Sequence, residues 1–161
     1  MTEIDPKAEG AGCRIGIAAA RFNTEITDML LSGCRRALST CGVAADDVEL
    51  VRVPGAWELP LACRVLIDTG RFDAVIALGA VIRGETAHFE FISNECARGL
   101  QQLGLETGIP VTFGVLTPEN GDQARRRADP ERDDKGGEVA RAALEMVALK
   151  RAVAAMETER G

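Results

Sequence analysis

Short aliphatic runs alternate with stretches whose apolar residues recur every three or four positions, and this alternation repeats four times along the chain. Cys13–Ala20 predicts a first strand. After the turn Arg21-Phe22-Asn23, the spacing of Ile26, Leu30, Cys34, Ala37 and Leu38 predicts a helix to about Cys41. Asn23 or Thr24 is placed to cap that helix, and Gly42 ends it. Val48–Val53, rich in β-branched residues, predicts the second strand. The turn Pro54-Gly55-Ala56-Trp57-Glu58-Leu59-Pro60 then leads into a helix with Leu59, Cys63, Leu66 and Ile67 inside. Pro60 falls in its first turn, where a missing N–H costs nothing. Asp73–Leu78 predicts the third strand, followed by a turn opening at Gly79. A long helix begins near Ala87 with Phe91, Ile92, Cys96, Leu100 and Leu103 on its inner face, which puts His88 one turn inside it. Gly108-Ile109-Pro110 precedes a fourth strand, Val111–Leu116, and Glu119–Ala128 predicts a short helix that Pro130 terminates. A charged loop, Asp129–Gly137, leads to a last helix over Glu138–Glu157 with Val139, Ala142, Met146, Leu149, Val153 and Met156 as its apolar stripe. Four strand–helix units imply right-handed crossovers and a buried parallel sheet. The expected architecture is α/β: a flavodoxin-like three-layer sandwich, with a four-stranded parallel sheet and helices on both faces.

Composition narrows the class without changing the fold. The 161 residues, 46% hydrophobic, suit one domain with a proper core. Pro6, Gly10 and Gly12 mark residues 1–12 as a flexible N-terminal arm, leaving 13–157 as the folded domain. That arm is polar and acidic, with no signal-peptide core, and no apolar run reaches the roughly 18–20 residues needed to span a bilayer. A cytoplasmic protein without a membrane partner is expected. The net charge of -6 argues against nucleic acid, and the cluster Arg125-Arg126-Arg127 is too short to reverse it. Arg125 and Arg126 read as a solvated helix face. Five cysteines in apolar contexts, none in a C-x-x-C pair, read as buried thiols in a reducing compartment. Zinc-type spacing is absent and there is a single histidine, so no metal site is expected.

In such a sheet, ligands bind at the carboxyl ends of the strands. The residues there are Arg21-Phe22-Asn23, Gly55-Ala56-Trp57-Glu58, Ala80 to Thr86 and the region after Phe113. Phe22, Trp57 and Phe113 offer aromatic faces to a flat heterocycle, or simply pack at the rim. A helix opening after Gly84-Glu85-Thr86-Ala87 presents backbone N–H groups and a partly positive end to an anion. Gly84 lets the main chain approach it, Thr86 adds a hydroxyl, and His88 stands within reach. The alternative is a plain strand–helix connection with an incidental histidine. No G-x-x-x-x-G-K-[ST] loop, no G-x-G-x-x-G after the first strand, no acidic cluster at its end and no G-x-S-x-G elbow occurs.

Four segments in this order and spacing carry a resemblance: Arg21-Phe22-Asn23, Pro54 to Pro60, Gly79-Ala80-Val81-Ile82-Arg83-Gly84-Glu85-Thr86-Ala87-His88, and Phe113-Gly114-Val115-Leu116-Thr117. From about Cys13 to Arg151 the chain closely resembles the lumazine synthases, transferases of the penultimate step of riboflavin biosynthesis. The resemblance implies condensation of 5-amino-6-(D-ribitylamino)pyrimidine-2,4-dione with 3,4-dihydroxy-2-butanone 4-phosphate, without a cofactor. It implies stacking by Phe22, with Asn23 beside it, ribityl contacts from Ala56, Trp57 and Glu58, and a ring pocket of Ala80, Val81 and Ile82. Glu85 and Thr86 are implied as amide donors to phosphate, His88 as the proton carrier, and Lys135 as a retained family position at the substrate. Arg127 and Phe113 are implied to arrive from a neighbouring subunit of a homopentamer; contact with riboflavin synthase is left open. One stretch departs from the family. The Gly-rich run of shell-forming members is here Asp129-Pro130-Glu131-Arg132-Asp133-Asp134-Lys135-Gly136, which favours a pentamer over a 60-subunit shell. A non-catalytic flavin- or lumazine-binding ring of the same fold is the alternative, as is a purely structural ring.

Overall fold

The computed structural model describes residues 1–158. Its elements, in order, are β1 (Ile15–Ala20), α1 (Thr24–Thr40), β2 (Val48–Val53), α2 (Leu59–Asp68), β3 (Ala74–Ala80), α3 (His88–Thr107), β4 (Val111–Leu116), α4 (Gly121–Ala128) and α5 (Lys135–Thr158). The strands form one parallel sheet in the order β2-β1-β3-β4. β1 and β3 are central and buried at every position, so their sequences are continuous apolar runs.

Alternation along the strands assigns the two faces. Ile15, Ile17, Ala19, Ala74, Ile76 and Leu78 pack with α1, α4 and α5. Ala18, Val75, Ala77 and Val115 pack with α2 and α3. Two layers of helix thus sandwich the sheet, as expected. The inner face of α1 is the predicted one, with Ile26, Leu30, Cys34, Ala37 and Leu38 all buried.

The helices on either side of the binding edge differ from expectation. β3 runs two residues beyond Leu78, because Gly79 and Ala80 continue the ladder opposite Val115 and Leu116. The turn therefore starts after Ala80. His88 is the first residue of α3, not one turn inside it. This phase turns Phe89 inward and leaves Phe91 66% exposed, so the inner face is Phe89, Ser93, Cys96, Leu100 and Leu103. α4 starts at Gly121, with the Asn120 side chain accepting from the Gln123 N–H at 2.9 Å, so Glu119 lies outside it. α5 starts at Lys135, three residues early. It buries Gly136, Gly137, Ala140, Ala143, Leu144 and Val147, while Met146 and Val153 of the predicted stripe are exposed. Small residues carry that contact, and an aliphatic template overlooks them.

Residues 1–10 have no regular structure, yet Gly10 is buried and its N–H donates to Cys41 O at 2.8 Å. Cys13, Cys34, Cys63 and Cys96 are buried and Cys41 is half-buried. Burial pushes the thiols of Cys34 and Cys63 up to about 12 and that of Cys96 to about 11. A thiolate is the reactive form. A disulfide reagent such as dithionitrobenzoate should therefore label Cys41 alone in the native protein and all five cysteines after denaturation. Rapid modification of several native thiols would contradict this packing.

Candidate active site

The carboxyl ends of β1, β2 and β3 meet the start of α3 around a cleft of about 380 Å³. Its walls come from three loops. Phe22 follows β1, and its N–H donates to Pro54 O at 3.0 Å, tying the first loop to the second. Pro54, Gly55, Ala56, Trp57 and Glu58 follow β2. Within that stretch the Glu58 carboxylate accepts the Gly55 N–H at 2.9 Å and closes a helical turn over Ala56–Glu58. Ala80, Val81, Ile82, Gly84, Thr86, His88, Phe89 and Ile92 complete the lining. Phe22 is 72% exposed and Trp57 57% exposed, although both border an apolar cleft. Large aromatics held in water beside an apolar floor form a platform for a flat ring.

Asn23 does not touch the cleft as a wall. It occupies a left-handed conformation (φ 57°) and donates its side-chain N–H to Ala80 O at 2.9 Å. The predicted helix cap is thus a strut between β1 and β3, and Thr24 instead donates its hydroxyl to Arg21 O. Left-handed backbone is tolerated by asparagine better than by most residues.

The loop that opens α3 leaves main-chain donors without partners. The segment 84–87 is exposed, and among the described residues the N–H groups of Glu85, Thr86 and Ala87 donate to no protein acceptor. The N–H of His88 donates to Thr86 Oγ1 at 3.3 Å. Unpartnered donors at the start of a 20-residue helix are an anion site by construction. Thr86 lines the cleft and Glu85 does not. His88 lines the same cleft, and its ring holds no hydrogen bond among the described residues.

Besides Asn23 and Glu85, three predicted site residues are not brought to the cleft by this chain. Phe113 lies inside β4, as the predicted strand has it, 42% exposed, in a groove with Arg83, Phe89, Glu90 and Thr117. Arg127 ends α4 in a separate hollow with Asp122, Gln123, Arg126 and Arg132. Lys135 opens α5 and its ammonium donates to Glu138 at 2.6 Å. Arg127 nonetheless stands apart within its cluster. Arg125 pairs with Glu25 at 3.0 Å and Asp122 at 3.3 Å, and Arg126 with Asp133 at 3.5 Å. Arg127, half-buried, meets no carboxylate among the described residues and donates only to Gln123 O at 3.2 Å.

Sequence reasoning missed two features of this site. Phe89 forms part of the floor, which the inner face predicted through Phe91 concealed. Arg83 donates from Nε to Glu119 at 2.7 Å and from Nη1 to Glu90, with its guanidinium carbon 4.3 Å from the Phe89 ring centroid. The Arg83 bond holds the Glu90 carboxyl below the usual carboxylate range. Only the Arg-Gly pair bordering the turn could have drawn attention to it.

The fold is a parallel three-layer α/β sandwich whose carboxyl edge holds a cleft lined by Phe22, Trp57, Thr86 and His88, the place where enzymes of this class bind their ligands. The family model of 6,7-dimethyl-8-ribityllumazine synthase matches residues 12–151. Proteins of that name are similar over nearly their whole length. One from Edwardsiella ictaluri is 50% identical over 156 residues, covering 96% of this chain and all of that protein. One from Chromobacterium violaceum is 49% identical over 146 residues, covering 91% and 92%, and one from Azoarcus sp. 46% identical over 149 residues, covering 92% and 93%. The chain belongs to the 6,7-dimethyl-8-ribityllumazine synthase family, and is a transferase by that membership.

Proposed function

We propose that the protein condenses 5-amino-6-(D-ribitylamino)pyrimidine-2,4-dione with 3,4-dihydroxy-2-butanone 4-phosphate, giving 6,7-dimethyl-8-ribityllumazine, phosphate and water in the penultimate step of riboflavin biosynthesis. The observation that carries this reading is the coincidence, in one cleft, of exposed Phe22 and Trp57, unpartnered amides at Glu85–Ala87, and His88. Phe22 stacks on the pyrimidine, with Ala80, Val81 and Ile82 along its edge. Ala56, Trp57 and Glu58 hold the ribityl chain, and the Glu85 and Thr86 amides take the phosphate.

The chemistry needs little beyond this. The amine attacks the ketone and water leaves to form an imine. Loss of an α-proton and expulsion of phosphate follow, and the second amine then adds to the remaining carbonyl and closes the ring as a second water leaves. Each step moves a proton near neutral pH, which is the range of imidazole, and His88 is placed to carry it. Departing phosphate needs a site for two negative charges, supplied by a helix N-terminus and a guanidinium. Holding the two reactive substrates together supplies much of the acceleration. His88→Ala should therefore lower kcat about a hundredfold, the low end for a positioned proton carrier, without abolishing it, with binding of the pyrimidinedione unchanged. Complete loss of turnover with intact binding would show the imidazole to be indispensable and overturn that weighting. The reading itself is tested by mixing the two substrates with the protein and following lumazine absorbance.

The guanidinium of Arg127, which meets no carboxylate among the described residues, and the exposed Phe113 lie outside the cleft of their own chain, which supports their delivery to an adjacent subunit's cleft. We assign a homopentamer with sites between subunits, formed by a domain of residues 13–157 with residues 1–12 as an arm, in the cytoplasm. Lys135 joins Arg127 at that shared edge. Light scattering tests the subunit count; a mass near that of the 60-subunit shell would overturn the pentamer. Direct contact with riboflavin synthase, the next enzyme, is tested by co-sedimentation of the two purified proteins.

A further inference from the structure

The amide cradle is held only at its two ends. Gly84, Glu85, Thr86 and Ala87 are all exposed; before them Val81 N–H donates to Leu116 O at 2.8 Å and Arg83 N–H to Pro118 O at 3.0 Å, and after them the Ala87 carbonyl accepts the Glu90 N–H at 3.1 Å. An anion site whose donors wander loses affinity to the entropy of ordering them. Something must set the angle at which the loop meets α3.

Arg83 is the residue in position to do so. Its guanidinium spans the loop's first residue and the first turn of α3 through Glu90, and lies over the face of Phe89, whose ring also borders the cleft. Its Nε reaches Glu119 on the strand-four side at 2.7 Å. From there the contacts continue. The Glu119 N–H donates to Gln123 Oε1 at 3.0 Å, and the Gln123 carbonyl accepts Arg127 Nη1 at 3.2 Å. One chain of hydrogen bonds thus joins the cradle loop to the arginine at the far end of α4.

Arg83 is not itself an anion ligand. It is absent from the lining of the cleft, and two carboxylates already neutralise it, so the group carries a net negative charge. Its planar fork suits the double pairing and the stacking, which a lysine ammonium could not provide together.

We infer that Arg83 is a positioning residue: through Glu90, Phe89 and Glu119 it fixes the amide cradle of its own cleft, and it holds the start of α4 so that Arg127 keeps its place. This rests on the proposed condensation, and deepens it by separating the residue that orders the phosphate site from those that touch phosphate.

The test compares Arg83→Met, Arg83→Lys, Glu119→Gln and the double variant Arg83→Met/Glu119→Gln with the parent protein. Steady-state kinetics are run in each substrate, and the pyrimidinedione is titrated against the fluorescence of Trp57, the single tryptophan. Arg83→Met should raise KM for the butanone phosphate on the order of tenfold, leaving the pyrimidinedione dissociation constant unchanged. Arg83→Lys should not restore it. Glu119→Gln should shift KM in the same direction by less, and the double variant should be no worse than Arg83→Met, because both cut the same connection. If Arg83→Met fails to fold, Glu119→Gln, which leaves the Glu90 pair intact, carries the test. An unchanged phosphate-substrate KM, an equal loss of affinity for both substrates, or full rescue by lysine would each overturn the inference. A parent protein that forms no lumazine at all would instead sink the proposed function.

Discussion

Arg127→Ala is expected to cut kcat/KM for the butanone phosphate by about a hundredfold or more, with most of the loss in KM. Removing one partner of a charge-assisted hydrogen bond costs about 1.5–3 kcal/mol, and a bidentate guanidinium–phosphate pair sits at the upper end of that range. Each 1.4 kcal/mol is about a factor of ten. Arg127 is free to make such a pair because its neighbours have absorbed the local carboxylates: Asp122 and Glu25 face Arg125, and Asp133 faces Arg126. Inorganic phosphate provides a second measurement. Its inhibition constant against the phosphorylated substrate should rise in parallel with KM, whereas competition by a pyrimidinedione analogue should not change. Equal inhibition of parent and variant by phosphate would remove Arg127 from the anion site. The between-subunit arrangement makes a further demand. Arg127→Ala and Phe22→Ala chains, each impaired alone, should regain activity when unfolded and refolded together, because some sites then combine an intact cleft with an intact arginine. No recovery in the mixed assembly would mean that each chain serves its own cleft.

Much of this architecture was legible in the sequence for one physical reason. A fully buried parallel strand must be apolar throughout, a half-buried edge strand keeps aliphatic residues at alternate positions, and helices that cover the sheet must be apolar on one face, so β1, β2, β4 and α1 appear as patterns in the residues themselves. The site was legible as residue types at strand ends: Phe22, Trp57, Ala80–Ile82, Thr86 and His88 do converge on one cleft. What escaped was set by tertiary contact. β3 extends to Ala80 because β4 offers a ladder partner, Leu116, that no local signal in Gly79-Ala80 reveals. The start of α3 follows, and with it the exchange of Phe91 for Phe89 on the inner face. Asn23 shows the same limit in another form. As a residue type it suits a helix cap, but the nearby Ala80 carbonyl claims its side chain. Arg83 was passed over because exposed arginines usually mean little; its role depends on Glu119, distant in sequence.

α5 offers the sharpest example, and the second large effect. A Cβ built on Gly136 would stand 1.9 Å from Leu30 O and 2.7 Å from its carbonyl carbon. Both are main-chain atoms inside α1, which cannot rotate aside as a side chain would. α1 and α5 therefore touch backbone to backbone at this point, and Gly136→Ala must push them apart. Overpacking in a core costs about 1–3 kcal/mol, and a rigid obstacle belongs at the top of that range. Alanine regains at most ~1 kcal/mol in helix propensity, and less this close to the helix start. A net loss of roughly 2–3 kcal/mol should lower the apparent Tm by about 4–12 °C for a chain of this size. Gly121→Ala is the control. The added Cβ there meets only the tip of Arg125 at 3.4 Å, and the site is the first residue of α4, so stability should hold or rise slightly. A Tm for Gly136→Ala within about 2 °C of the parent would mean that the helices part without cost. The contact also matters for the site. Asp134 accepts the Gly137 N–H at 3.1 Å and pairs with Arg36 and Arg141, fastening the loop that runs back from Lys135 to Arg127. Displacing α5 therefore moves the edge that carries Arg127, the residue proposed to serve the neighbouring cleft. Gly136→Ala should raise KM for the phosphorylated substrate at temperatures well below its own melting, while affinity for the pyrimidinedione, held by loops after β1 and β2, stays as it was.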